Sequence, residues 1–324
     1  MNRYRILHVT EFQYDGPVSE SYNEVHLRPR QDDQQTCVSF RLSTYPGSKA
    51  TSHVDALGNW VHRFNLLPEH RHLRVEADSV VLVQKPPAMS AGGPSLAEID
   101  RYADEFDDLW DMLSPTVFTP HVPAIRELGA EVEKESDGTV SGFARTAMET
   151  IHSRFRYEKG ATHVRSSAED VLSTGAGVCQ DFTHLLLALL RIRGIPARYV
   201  SGYMVPQRTA EPGASVEEVI GGQASHAWAE VFVPGTGWVG LDATLGQPVC
   251  LRHVRVAYGR DYGDVPPVRG VYKGHAGQRL SVDVCVRPAL DSEGWEHLQE
   301  TAAGPQEVAR TEEPPQQQQQ QQQQ

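Results

Sequence analysis

The run Thr183-His184-Leu185-Leu186-Leu187-Ala188-Leu189-Leu190 constrains this chain more than any other stretch. It is too apolar to face water on most sides, so a helix built from it must be surrounded by other elements. The run is entered through Gly177-Val178-Cys179-Gln180-Asp181-Phe182, behind a glycine-punctuated turn, Ser173-Thr174-Gly175-Ala176-Gly177. Glycine frees that turn from steric limits and delivers Cys179 to the first turn of the helix. Unpaired backbone N–H groups and the helix dipole favour negative charge there, a setting that turns a thiol into a thiolate. A buried cysteine that merely starts a core helix fits the same stretch, because free cysteine is among the most buried residue types. The rest of the chain has to decide between the two.

A length of 324 residues suggests about two domains, and 39% hydrophobic and 22% charged residues are ordinary for a globular protein. The net charge is −12, from 30 basic and 42 acidic residues, with no basic stripe. That argues against nucleic acid and against an anionic membrane as partners. The N-terminus, Met1-Asn2-Arg3-Tyr4-Arg5-Ile6-Leu7-His8, has no apolar leader pattern, and no window approaches a membrane span. Cys37, Cys179, Cys250 and Cys285 are scattered without a C-x-x-C pair. The expectation is a cytoplasmic protein with neither a disulfide framework nor a metal or other cofactor.

Residues 3–14 alternate as a strand does, and further strand-like runs follow at 23–27, 36–42, 60–66 and 73–82. They are separated by turn signals such as Pro46-Gly47-Ser48, so residues 1–84 are expected to form an all-β, sandwich-like domain. His70 and His72 alternate on one strand, but without a third ligand nearby they read as surface histidines. Residues 85–120 read as a linker with a short acidic helix, 96–109, capped by Ser95. The core is expected over 121–286. Helices come first, at 122–132, 139–157 and 167–172, followed by the Cys179 helix, which Gly194 and Pro196 terminate. Strands come next, at 198–205, 227–233, 238–242, 253–257 and 279–286, with a polar loop at 207–222. This order, helices and then an antiparallel sheet, is α+β. Residues 287–324 lose periodicity and end in nine glutamines, which reads as a disordered tail.

A useful thiol needs a base and a group to orient that base. Ser225-His226-Ala227-Trp228-Ala229-Glu230-Val231 and Gly237-Trp238-Val239-Gly240-Leu241-Asp242 supply both across a short hairpin. His226 opens one strand and Asp242 closes the next, so the carboxylate can reach the imidazole. A helix N-terminus packed on that edge would bring Cys179 to the other ring nitrogen. Five residues along the helix from Cys179, His184 is expected to face away. Asp181 reads as an acid favoured by the dipole, and Glu230 as a solvated strand residue.

Four motifs, Gly177–Phe182, Gly194–Tyr203, His226–Val231 and Trp238–Thr244, together resemble the bacterial transglutaminase-like (cysteine protease-like) superfamily. Residues 255–262 and 266–270 are similar to the segment that follows that core. His8-Val9-Thr10, Leu27-Arg28-Pro29-Arg30 and Gly58-Asn59 resemble the β-rich domain that precedes it. The resemblance implies a papain-like fold with Cys179 as nucleophile, His226 as general base and acid, and Asp242 orienting His226. Ala243 stands where the family usually has proline, a matter of loop stiffness rather than chemistry. It implies attack on a carboxamide or peptide carbonyl of a protein or peptide substrate, through a thioester, with water or an amine as acceptor. Trp228 and Tyr203 are candidate walls of the substrate channel, with a packing role open for each. The rival readings are an arylamine-type N-acyltransferase and a non-catalytic binding or scaffold module.

Overall fold

A computed structural model describes residues 1–89, 92–102, 109–205, 225–290 and 293. The loop expected at 207–222, most of the tail, and part of the helix expected at 96–109 lie outside the described residues. What is described there is a 3-10 turn, Leu96–Tyr102, and a short helix α1, Trp110–Leu113.

The N-terminal alternation extends further than its turn signals imply. One strand, β1 (Asn2–Val25), runs through residues that read as two, and a bulge between Ser19 and Tyr22 bends it where Glu20 takes a positive φ of 53°. Its partners are β2 (Gln35–Tyr45), β3 (Thr51–Val54), β4 (Trp60–Leu66) and β5 (His70–Val83), in the order β2-β5-β1-β4-β3. The first half of β1 pairs with β5 and the second half with β4, so the sheet curls over its own face. Phe12, Val18, Phe64, Leu66, Leu73 and Tyr272 meet inside that curl, which supplies the sandwich-like core. Two late strands also belong here. β13 (Val268–Lys273) and β14 (Gln278–Pro288) pair with β1, not with the strands at 197–259. The chain thus returns to its first sheet after about residue 267, where β1 presents a free edge to each strand.

The core is organised by α5 (Cys179–Ile192). Leu185, Leu186, Leu187, Leu189 and Leu190 are all fully buried, each contributing about 2 kcal/mol by removal from water. They pack against α2 (Pro123–Glu135), α3 (Val140–Arg154), α4 (Ala168–Thr174) and an antiparallel sheet. A two-stranded parallel pair, β6 (Arg156–Tyr157) with β7 (Ala176–Gly177), leads the chain into α5. The core sheet runs β11-β10-β9-β8-β12, from β8 (Ala197–Met204), β9 (Ser225–Val233), β10 (Gly237–Asp242), β11 (Gln247–Pro248) and β12 (His253–Gly259). Ala227, Ala229, Val231 and Val233 of β9 join the cluster that surrounds α5, whereas Trp228 joins Val200 and Tyr258 in a separate one. The two clusters follow the period-two alternation of a strand. At the far end of α5, buried Arg191 donates to the carbonyls of Met112 and Ala197 and to the Thr119 hydroxyl, so the charge is fully solvated by protein.

Candidate active site

Gly175 ends α4 in the left-handed region, at φ 65°, and lets the chain turn back through β7 into α5. The first turn of α5 is then fixed by Asp181. Its Oδ2 accepts the backbone N–H of Val178 at 2.8 Å and the Thr162 hydroxyl at 2.5 Å. Burial pushes the Asp181 carboxyl up, and these two bonds oppose it. Asp181 thus caps the start of α5. Cys179, half-buried, opens onto a cavity of about 270 Å³.

His226 faces the same cavity from β9. Its Nε2 donates to Oδ2 of Asp242 at 2.7 Å, with both side chains wholly buried. The hairpin pairs Leu241 with Ala229, so Asp242 stands two places along from His226 and reaches back to it. Oδ1 of Asp242 accepts the N–H groups of Thr244 and Leu245, which locks the carboxylate plane. Burial favours neutral imidazole at His226, yet its pKa is raised: the Asp242 carboxylate outweighs burial, and the Cys179 thiol adds to the effect. At Asp242 burial favours the neutral acid, but the two imidazoles outweigh it and the shift is downward. Nδ1 of His226 has no partner of full hydrogen-bond geometry among the described residues.

The sequence reasoning missed a second histidine. His253 opens β12, and its Nε2 donates to the same Oδ2 of Asp242 at 3.0 Å. Only the tertiary fold brings it there, since β12 is three strands away from β10 in the sheet. Nε2 of both histidines and Oδ2 of Asp242 lie within 4.8 Å of one another, a donor set that suits a metal ion. As they stand, the three groups are spaced for hydrogen bonding. Two ligand atoms on a tetrahedral zinc with bonds of about 2.0 Å would stand about 3.3 Å apart, whereas 2.7 Å is the length of a charge-assisted hydrogen bond.

The remaining candidates separate. Tyr203 lines the cavity and donates its hydroxyl to Nδ1 of His8, 2.9 Å away on β1. Burial pushes the His8 imidazole down to about 4, so it accepts that bond as the neutral ring. Trp228 is fully buried and absent from the cavity wall; it packs edge-on to His253, with ring centres 5.0 Å apart. Of the two roles open for it, packing is the one the fold gives it. Glu230, read as solvated, is buried and held by Arg198 at 2.6 Å. His184 is fully buried; its Nε2 accepts the Tyr262 N–H, and burial takes its pKa down to about 3. His70, read as exposed, is buried and bonded to the Pro68 carbonyl. The N-terminal sheet contributes His8, His26 and Leu27 to the cavity wall, a role that no local motif announces.

Residues 126–243 match the model of the transglutaminase-like superfamily, and residues 4–82 match the bacterial transglutaminase-like N-terminal region. An uncharacterized protein of Mycobacterium leprae is 36% identical over 289 residues, covering 88% of this chain and 98% of the relative. An uncharacterized protein of Mycobacterium tuberculosis H37Rv is 36% identical over 298 residues, covering 89% and 93%. A crystal structure from Cytophaga hutchinsonii, described as a candidate cysteine protease, superposes with a TM-score of 0.68 at 21% identity over 90% of this chain and 92% of the other. This chain belongs to the transglutaminase-like superfamily, with the bacterial N-terminal region ahead of its core.

Proposed function

We propose that this chain is a cysteine-nucleophile enzyme that cleaves or transfers the acyl group of a carboxamide or peptide through a thioester on Cys179. The observation that supports this most directly is the 2.7 Å bond from His226 to buried Asp242, on an imidazole that shares one cavity with Cys179. In this reading Cys179 passes its proton to Nδ1 of His226 ahead of the attack. The thiolate attacks the carbonyl carbon, and the N–H groups opening α5 stabilise the oxyanion. His226 gives its proton from Nδ1 to the departing amine or ammonia, leaving the thioester. Water or an amine then loses a proton to Nδ1 as it attacks, and the product acid or amide departs with the thiolate regenerated. Asp242 stays ionised throughout and holds the ring.

The substrate is proposed to be a protein or peptide. The four free cysteines accord with a reducing compartment such as the cytoplasm. No helix among the described residues is long and apolar enough to cross a membrane. The test is a panel of glutamine-containing peptides with and without a fluorescent primary amine, read by mass. The expected result is ammonia release or amine incorporation with the wild type, a trapped acyl adduct on Cys179, and neither with Cys179→Ala. A carboxamide panel that turns over equally with Cys179→Ala would overturn the proposal, as would activity confined to acyl-CoA and an arylamine.

A further inference from the structure

A second thiol sits on the other side of Asp242. Sγ of Cys250 lies 3.6 Å from Nδ1 of His253, whose Nε2 donates to Asp242. Nδ1 also accepts the backbone N–H of Cys250 at 3.1 Å, which fixes the ring against the thiol. Cys250 is half-buried and lines a cavity of about 440 Å³, separate from the Cys179 cleft. Its walls are mostly apolar, including Pro86, Pro87, Met89, Leu241 and Val249, with the cations Lys85, Arg145 and Arg252 among them. We propose that Cys250 is a second reactive thiol, served by His253, which takes a low-molecular-weight disulfide into this cavity and forms a mixed disulfide with it.

Every part has a chemical role. His253 is the base that can accept the thiol proton, and Asp242 orients it. The cavity receives the apolar body of the disulfide, and the cations suit a carboxylate on it. Burial works against ionisation of the Cys250 thiol, but His253 and Arg252 bring it down to about 7, with Tyr4 the other titratable neighbour. The Cys250 proton passes to Nδ1 of His253, whose lone pair gives up the backbone N–H of Cys250 to take it, and the thiolate attacks one sulfur of R–S–S–R. A Cys250–S–S–R bond forms, the original S–S bond breaks, and the departing R–S⁻ takes the proton from His253. One thiol and one disulfide become one mixed disulfide and one thiol.

The probe is 5,5′-dithiobis(2-nitrobenzoate), an aromatic carboxylate disulfide, applied to the full chain carrying Cys179→Ala at pH 6. That background makes the result independent of the acyl-transfer proposal. The released thiolate is followed by absorbance and the labelled site by peptide mass. A thiol with a pKa of about 7 should react about sixfold faster at pH 6 than an ordinary one, after allowing for its lower intrinsic nucleophilicity. Exposed Cys285 is the internal standard, and Cys37, pushed up to about 11 by burial, should lag behind both. His253→Asn should bring Cys250 down to the rate of Cys285. Ala88→Trp, which puts a large ring into the cavity from its proline-rich wall, should slow Cys250 alone. Labelling of Cys250 no faster than Cys285, or unchanged by Ala88→Trp, would overturn the proposal.

Discussion

Replacing Asp242 with asparagine removes one charge and preserves the shape around it. The amide oxygen of the new side chain can keep the two backbone bonds that Oδ1 accepts from Thr244 and Leu245. What disappears is the anionic oxygen 2.7 Å from His226 Nε2. At roughly 4 Å between charge centres and an effective dielectric of about 20, that attraction is about 4 kcal/mol. At 1.36 kcal/mol per unit this corresponds to about three pKa units. In Asp242→Asn the His226 pKa should therefore fall from about 10 to about 7. The assay is iodoacetamide alkylation of Cys179, followed by peptide mass from pH 5 to 9. In the variant, alkylation should slow by about tenfold between pH 7 and 9, where the imidazolium beside the thiol is lost, and differ little at pH 6. Stability should move in the same experiment. A raised histidine contributes stability that is fully present below about pH 6.5 and lost as pH rises through its folded value, while the depressed Asp242 carboxyl contributes above about pH 3.9. The difference in urea midpoint between the two proteins should therefore be largest between those limits and shrink on the alkaline side. An alkylation profile that Asp242→Asn leaves unchanged would refute the ion-pair reasoning.

Three further expectations concern the support of the site. Gly202→Ala should cost about 3 kcal/mol and lower Tm by roughly 6 °C or more, because a Cβ there would meet the Val254 carbonyl oxygen at 2.2 Å and the Trp228 ring at 2.5 Å. Trp228→Ala should cost about 3–5 kcal/mol in urea unfolding, as a fully buried ring beside His253 is lost. If Trp228 formed a channel wall instead, the variant would keep its stability and lose substrate affinity. His253→Gln should leave Cys179 alkylation at neutral pH within about threefold of wild type while moving its pH profile, since His226 then holds Asp242 alone.

The helix that starts at Cys179 was legible because composition decides it: five leucines that must all be buried leave one place in a fold. The His226–Asp242 pair was legible because a short hairpin fixes which strand ends meet. Pairing over long separations was not. Nothing local in Gln278–Pro288 says that its partner is β1 and not β12, since both offer the same period-two face. His253 was missed for the same reason, as its bond to Asp242 crosses the sheet above Trp228. Glu230 looked solvated because alternation assigns a face and not its cover; Arg198 and Arg255 supply that cover. Trp228 follows from Gly202, whose missing side chain leaves the space that the indole occupies.

The N-terminal sheet bears on the site as a completed edge of the catalytic sheet. β12 is an outer strand, so its second row of backbone groups would otherwise be unpaired. Two side-chain amides from the first sheet take the place of a neighbouring strand. Gln35 donates to the Arg255 carbonyl and accepts the Arg255 N–H, each at 2.8 Å. Asn59 does the same to Tyr258, also at 2.8 Å in both directions. All four bonds are buried, and an unpaired buried backbone group costs about 1–3 kcal/mol, so neither domain can be lifted away without exposing or orphaning β12. The same strand carries His253, and β8 beside it carries Tyr203, which His8 of β1 holds. The amides that satisfy the edge thus fix the strand that presents an imidazole to Asp242. A domain that reads as an independent β module in this way helps to build the cleft that holds Cys179 and His226.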